Sequence, residues 1–317
     1  MLTLPDGLLI NAILYVGLDL KGYGRINTVW PPLGNLSPVV SSIKVELRSD
    51  EIGNIGDINK LSFVRNMTIN CCRDVIPDIS ALQTLTKLTS LRLRGCRDIP
   101  DISALLNLTN LTSLELSGWR NGTPDISALR NLSNLTSLNL YGCDNLPNIS
   151  ELINLTKLTS LDLSGCHTSD ISALLNLTNL TSLDLLCCYG LLDISALRNL
   201  TKLTSLDLSE CDNLLNVSAL INLTKLTSLD LSGCISLSDI SALQKLTKLT
   251  SLDLSWCRNL SDISPLQSLT KLTTLDLHRC RNLSDITALR SLTKLTSLDL
   301  SRRSGLSDTS SIDQLRL

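Results

Sequence analysis

The chain is poor in the residues that build catalytic centres and bulky cores. Of 317 residues only two are His (His167 and His278), one is Phe and two are Met, and aromatics make up 3%. The usual general acid–base side chain is therefore scarce, and composition argues against an enzyme. Neither charge sign is in excess: 28 Lys and Arg stand against 30 Asp and Glu, for a net charge of -2. Such a balance does not point to nucleic acid or to an anionic membrane surface. No run of 18 apolar residues would span a bilayer. Residues 8–16 are apolar enough to imitate a signal-peptide core, but Pro5 and Asp6 precede them where basic residues belong. The expected location is the cytoplasm, with the nucleus as an option.

What the chain has is leucine, at a fixed period. The sentence LTKLTSLDLSGCISLSDISALQKL recurs with small changes from residue 85 onward. The first Leu of each LxL falls at Leu91, Leu114, Leu138, Leu161, Leu183, Leu206, Leu229, Leu252, Leu275 and Leu298, with steps of 22 to 24 residues. Two degraded copies lie upstream. Met67 and Ile69 fill the LxL slots of one, and Ile43 and Val45 are read as those of the other. Alternation within LxL sends both Leu to one face and the residue between them to the other. One short strand per repeat then stacks in parallel on the next, and each repeat buries its Leu against its neighbours. Ten residues from the first Leu stands an Asp or Asn of the DIS segment, as at Asp101, Asp193, Asp239 and Asp262. Only ten more residues lead to the next repeat, too few for a long helix. Each such Asp is a good cap for a single turn, so short 3-10 turns are expected. The fold class is α/β: a horseshoe solenoid with parallel strands on the concave face and 3-10 turns on the convex one. Residues 41–317 form the array, about 11–12 repeats, with a frayed last copy. Residues 1–40 stand apart.

The pattern LxxLxLxxC at this period resembles that of leucine-rich repeat proteins. The DISxL segment and the repeat length resemble internalins and phosphatase regulators; the Cys slot resembles the cysteine-containing repeats of F-box proteins. The resemblance implies a non-enzymatic protein-binding module without cofactor or metal.

Nine of the eleven Cys (Cys72, Cys96, Cys143, Cys166, Cys188, Cys211, Cys234, Cys257 and Cys280) each lie three residues after the second Leu of LxL. That slot turns inward, so a ladder of buried thiols donating weakly to turn carbonyls is expected rather than zinc or disulfide chemistry. Unoxidised thiols fit a reducing compartment. Asn-x-Ser/Thr occurs 16 times because NLT is written into the repeat, and cytosolic synthesis would leave these sequons silent. His167 follows Cys166, but adjacent residues at a strand end point apart, which argues against a thiol–imidazole pair. Trp119 replaces the ladder Cys in an inserted copy, and either bulges outward or repacks the turn. The recurring Lys of TKL, as at Lys202 and Lys248, is read as a solvated edge.

The residue inside each LxL should line the concave face. These are Arg92, Glu115, Asn139, Asp162, Asp184, Asp207, Asp230, Asp253, Asp276 and Asp299. Seven aspartates in succession form either a strip for a basic protein partner or simply the solvated consensus of the array. Departures from consensus are the expected specificity positions: Arg92, Arg94, Glu115, Asn139, Tyr141, Leu186, Glu210, Trp256, His278 and Arg279. Tyr, Trp and Arg are the favoured hot-spot types.

Residues 4–33 read LPDGLLINAILYVGLDLKGYGRINTVWPPL and do not fit the repeat. Leu4-Pro5, the apolar Leu8, Leu9, Ile13 and Leu14, and then LDLKGYGRINTV resemble an F-box. That resemblance implies docking of a Skp1-type adaptor through these six residues and a place in a cullin-type ubiquitin ligase. Gly7, Gly22, Gly24 and the Pro31–Pro32 pair depart from the pattern. A plain helical cap on the first repeat is the alternative reading of the segment.

Overall fold

In a computed structural model of the chain, the described residues are 44–48, 64–70, 79–95, 101–119, 125–143, 146 and 149–302. The F-box-like positions, Cys71, Cys72, Cys96 and the expected frayed end beyond residue 302 lie outside them. The chain forms two compact units, residues 1–139 and 140–317.

The first unit holds five parallel strands in sequence order: β1 (Lys44–Arg48), β2 (Asn66–Asn70), β3 (Ser90–Arg94), β4 (Ser113–Ser117) and β5 (Ser137–Asn139). Leu91 pairs with Met67 behind it and Leu114 ahead of it, the register that the 23-residue period implies. One assignment is corrected. Val45 pairs with Met67 and Leu47 with Ile69, so the slots of the first copy are Val45 and Leu47, not Ile43 and Val45. Ile43, Val45 and Leu47 alternate, and alternation of period two offers both choices equally; only the pairing to β2 selects one.

The second unit repeats the arrangement with β6 (Ser160–Asp162), β7 (Ser182–Asp184), β8 (Ser205–Asp207), β9 (Ser228–Asp230), β10 (Ser251–Asp253), β11 (Thr274–Asp276) and β12 (Ser297–Asp299). Each pairs in parallel with the next, first Leu against first Leu. Between strands the chain makes one five-residue 3-10 turn per repeat, such as Ser172–Asn176 and Ser241–Lys245. The Asp of DIS sits one residue before the geometric cap position. Its carboxylate accepts the N–H of the first turn residue, as from Ser103 to Asp101 at 2.6 Å and from Ser195 to Asp193 at 2.7 Å. The aspartate therefore acts as the expected cap, through an Asx turn.

Leu fills the core from both sides. Leu206, Leu208, Leu220, Leu223 and Leu226 are each at most 1% exposed, and burying such a side chain contributes about 1.5–3 kcal/mol. The array closes on the turn side with a ladder of Thr. From Thr181 to Thr296 each Thr N–H donates to the Thr carbonyl one repeat back at 2.8 or 2.9 Å. Its hydroxyl donates to the same carbonyl, as for Thr204 Oγ1 to Thr181 at 3.0 Å.

Candidate functional site

Each strand ends on a sharp local device. In LxLS the Asp between the Leu turns its carboxylate to the backbone two residues on. Asp207 accepts the N–H of Ser209 at 2.8 Å, Asp230 that of Ser232 at 2.8 Å and Asp276 that of His278 at 2.7 Å. The aspartate column of the second unit, Asp162 to Asp299, is thus an acceptor that ends the strand as well as a row of charge. The strands place these side chains in register on the face opposite the Leu core, and Asp162 to Asp276 are half-buried there. Burial pushes Asp184 up to about 6, with Asp162, Asp207 and Asp230 adding repulsion. Asp207 and Asp253 are raised for the same two reasons, burial first. Adjacent strands lie ~4.8 Å apart, so this repulsion is built into the stack.

The matching face of the first unit is different. Arg92 on β3 and Glu115 on β4 are paired positions. Arg94 holds Glu115 with two hydrogen bonds, Nε to Oε1 at 2.8 Å and Nη2 to Oε2 at 3.3 Å, while Arg92 Nε lies 3.5 Å from Oε2. These three positions form one ion-pair cluster. Asn139 follows in register on β5. Tyr141, in the second unit, is 51% exposed.

After the Asx turn comes a residue with left-handed backbone, immediately before the ladder Cys. In the second unit it is Gly at Gly142, Gly165 and Gly233 (φ 64°, 69° and 73°) but Cys187, Glu210, Trp256 and Arg279 elsewhere, and Arg302 holds the same slot ahead of Arg303, with φ between 55° and 63° for these non-glycine residues. For non-glycine residues this conformation is unfavourable by roughly 1–2 kcal/mol. Three of the expected specificity positions, Glu210, Trp256 and Arg279, occupy this column. The sequence signal was the recurrent Gly, and its replacement marks the strain.

The last three described repeats gather a cationic–aromatic cluster. Arg279 stacks on Trp256 with Cζ 3.9 Å from the ring centroid, and Arg258 lies 5.2 Å from it. The His278 ring meets the indole edge-on at 6.1 Å, and its Nδ1 lies 2.6 Å from Ser301 Oγ. Partial burial, then the charges of Arg302, Arg281 and Arg258, hold the Arg279 guanidinium below its ordinary value.

The Cys column is the expected buried ladder in the second unit. Cys143, Cys166, Cys188, Cys211, Cys234, Cys257 and Cys280 are buried and free. Each thiol from Cys166 on donates to the carbonyl of the second LxL Leu one repeat back, as Cys166 to Leu140 at 3.0 Å and Cys234 to Leu208 at 3.1 Å. Burial pushes the Cys188 and Cys234 thiols up to about 12, so neither is a nucleophile at neutral pH. His167 turns away from Cys166 and packs its ring on Tyr189 at 5.4 Å. Trp119 repacks the turn instead of bulging, being 3% exposed. Among the described residues no group of His, Cys, Asp or Glu could hold a metal, and no helix is long and apolar enough to cross a membrane.

Comparison with known proteins agrees with the repeat geometry. The family of Zer-1-like leucine-rich repeats matches residues 102–172 and 240–311. No curated protein sequence matches significantly. Among solved structures, the Listeria monocytogenes internalin inlF is 29% identical over 81% of each chain, with a TM-score of 0.59. Internalin C2 of the same organism is 27% identical over 71% of this chain and 93% of its own, with a TM-score of 0.51. The InlJ functional domain, described as including a cysteine ladder, is 19% identical over 88% of this chain and 68% of its own, with a TM-score of 0.52, and shares the fold. Leucine-rich repeats indicate a protein-interaction module. The repeat period, the strand register and these likenesses together give the chain the leucine-rich-repeat solenoid fold that the internalins share.

Proposed function

We propose that the chain is the non-enzymatic substrate-recognition subunit of a cytoplasmic Skp1–cullin-type ubiquitin ligase. Its target docks on the open strand face, and the adaptor docks on residues 4–33. The in-register open face supports the first half. Its Asp column is uniform while Trp256, His278, Arg279, Tyr141 and the Arg92–Arg94–Glu115 cluster vary, so a partner with a basic patch is steered by the strip and selected by the departures. The F-box resemblance of Leu4, Pro5, Leu8, Leu9, Ile13 and Leu14 supports the second half. Buried free thiols along the ladder support a reducing compartment.

The test is capture of purified Skp1 by the full chain. Wild type should retain the adaptor, and Leu4→Ala with Pro5→Ala should lose it while the array stays folded. Capture that survives the double substitution, or fails for wild type, rejects the adaptor role. The second reading is a bare scaffold or regulatory array, or a secreted adhesin, with residues 1–40 as cap. The internalin likenesses at 27% and 29% identity favour it. It expects deletion of residues 1–40 to aggregate the array, and the adhesin form expects glycosidase-sensitive mass at the sequons.

A further inference from the structure

We infer that Trp256, Arg258 and Arg279 form a docking site for an acidic segment of a partner protein. The inference rests on the protein-binding reading of the array and is independent of the adaptor role of residues 4–33.

The register of the repeat builds the site. Trp256, Arg279 and Arg302 occupy the same left-handed slot on three successive repeats, followed by the ladder Cys in the first two; Arg258 and Arg281 stand just after that Cys. Stacking in parallel therefore brings Arg279 and Arg258 onto one indole and sets Arg281 and Arg302 within electrostatic reach of Arg279. No carboxylate among the described residues forms an ion pair with any of the four, whereas Arg92 and Arg94 of the first unit share Glu115. Desolvation first, then repulsion from Arg302, Arg281 and Arg258, holds the Arg279 guanidinium below its ordinary value.

Strain points the same way. Trp256 is held at φ 63°, where a bulky residue is a true outlier, and three other repeats of this unit place Gly in that slot, at Gly142, Gly165 and Gly233. Arg279 is held at φ 59° directly above it. A bulky side chain kept in a left-handed slot that Gly would fill without strain is the kind of cost that clusters at binding surfaces. The stacking of Arg279 on the indole fixes the guanidinium plane while leaving its N–H edge to donate, the arrangement suited to bidentate recognition of a carboxylate. A guanidinium already ordered by the ring loses less entropy on binding.

The occupant is an acidic peptide rather than nucleic acid because of the neighbouring charge. Asp253, Asp276 and Asp299 stand three residues before Trp256, Arg279 and Arg302. A continuous phosphate backbone would be repelled there, while a segment with a few spaced carboxylates meets only the basic cluster.

The experiment uses the full chain and fluorescein-labelled deca-glutamate, followed by anisotropy at low salt. Wild type should bind, and affinity should fall as salt rises. Arg279→Gln and Trp256→Gly should each weaken binding about tenfold, the loss of one good charge-assisted or aromatic anchor. Trp256→Gly should also keep or raise the melting temperature, since Gly accepts this backbone; a purely structural Trp would lower it and leave affinity unchanged. Lys202→Gln, which removes one positive charge from the solvated edge two repeats away, should bind as wild type does. Absence of binding by wild type, unchanged affinity in both variants, or tighter Trp256-dependent binding of a ten-nucleotide oligothymidylate would overturn the site. Skp1 capture is read on residues 4–33 alone, so either result can fail without the other.

Discussion

Asp184 shows how one side chain can serve the backbone and oppose the stack at once. Its Oδ1 accepts the N–H of Leu186 at 3.0 Å, which ends the strand. Burial and its Asp neighbours nevertheless push the carboxyl up to about 6, against about 3.9 in the unfolded chain. Between these values the folded state holds the proton more tightly, so stability falls as pH rises through about 4 to 6, and the penalty is complete at neutral pH. Asn keeps the acceptor and removes the charge. Asp184→Asn should therefore stabilise the protein by on the order of 1 kcal/mol at pH 7 and by almost nothing at pH 4. Asp184→Ala should lie about 1 kcal/mol below the Asn variant because the cap is gone. Urea denaturation at the two pH values checks both, and an Asn variant that parallels wild type at every pH would refute the account. Asp125, Asp170 and Asp285 on the turn side behave oppositely. Bonds from Ser127, Ser172 and Thr287 lower their carboxyls, so what they contribute is present above the unfolded value and lost as acid protonates them.

At the scale of the element, each repeat is held by columns rather than by long segments. A strand of three residues and one 3-10 turn would not persist alone. The Thr hydroxyls, the thiols and the Asx acceptors bond to the backbone of the same or the preceding repeat, so buried turn carbonyls are satisfied at every step. Thr204 tests the turn-side column. Thr204→Val keeps the shape and the backbone bond to Thr181 but removes the hydroxyl donor. The denaturation midpoint should drop by the equivalent of about 0.5–1.5 kcal/mol, the net value of one such bond. No drop would mean that the hydroxyl ladder only fills space. This column was not read from the sequence, although Thr recurs in every LTSL, because a Thr beside a strand is ordinarily a surface residue of high strand propensity. Its second hydrogen bond exists only once the neighbouring repeat is in place.

At the scale of the whole molecule, stability is a sum of repeats and of interfaces between neighbours. Removing residues 207–229 joins Leu206 to Asp230 and deletes one full period of 23 residues without disturbing the LxL pattern on either side. The shortened chain should keep the circular-dichroism shape of wild type and unfold at a lower midpoint. Removing residues 207–218 instead, about half a period, should expose Leu faces and aggregate. Equal behaviour of the two deletions would show that register does not govern the fold.

The repeat, its period, the Leu core, the parallel register, the short turns and the buried thiol column were legible in the amino-acid order, because each depends on spacing that recurs at every copy. The aspartate row was equally legible. Tertiary structure decided what recurrence cannot express. It chose Val45 and Leu47 over Ile43 and Val45, since alternation is blind to a shift of two. It showed that the row Asp162 to Asp299 accepts backbone N–H groups, a role that looks like plain surface charge until the strand ends are folded. It buried Trp119 where the sequence left two options. Above all it brought Arg258 and Arg279 to Trp256, and Arg281 and Arg302 within reach of Arg279, residues scattered over 47 positions that meet only because stacking in parallel returns the chain to the same slot once per repeat.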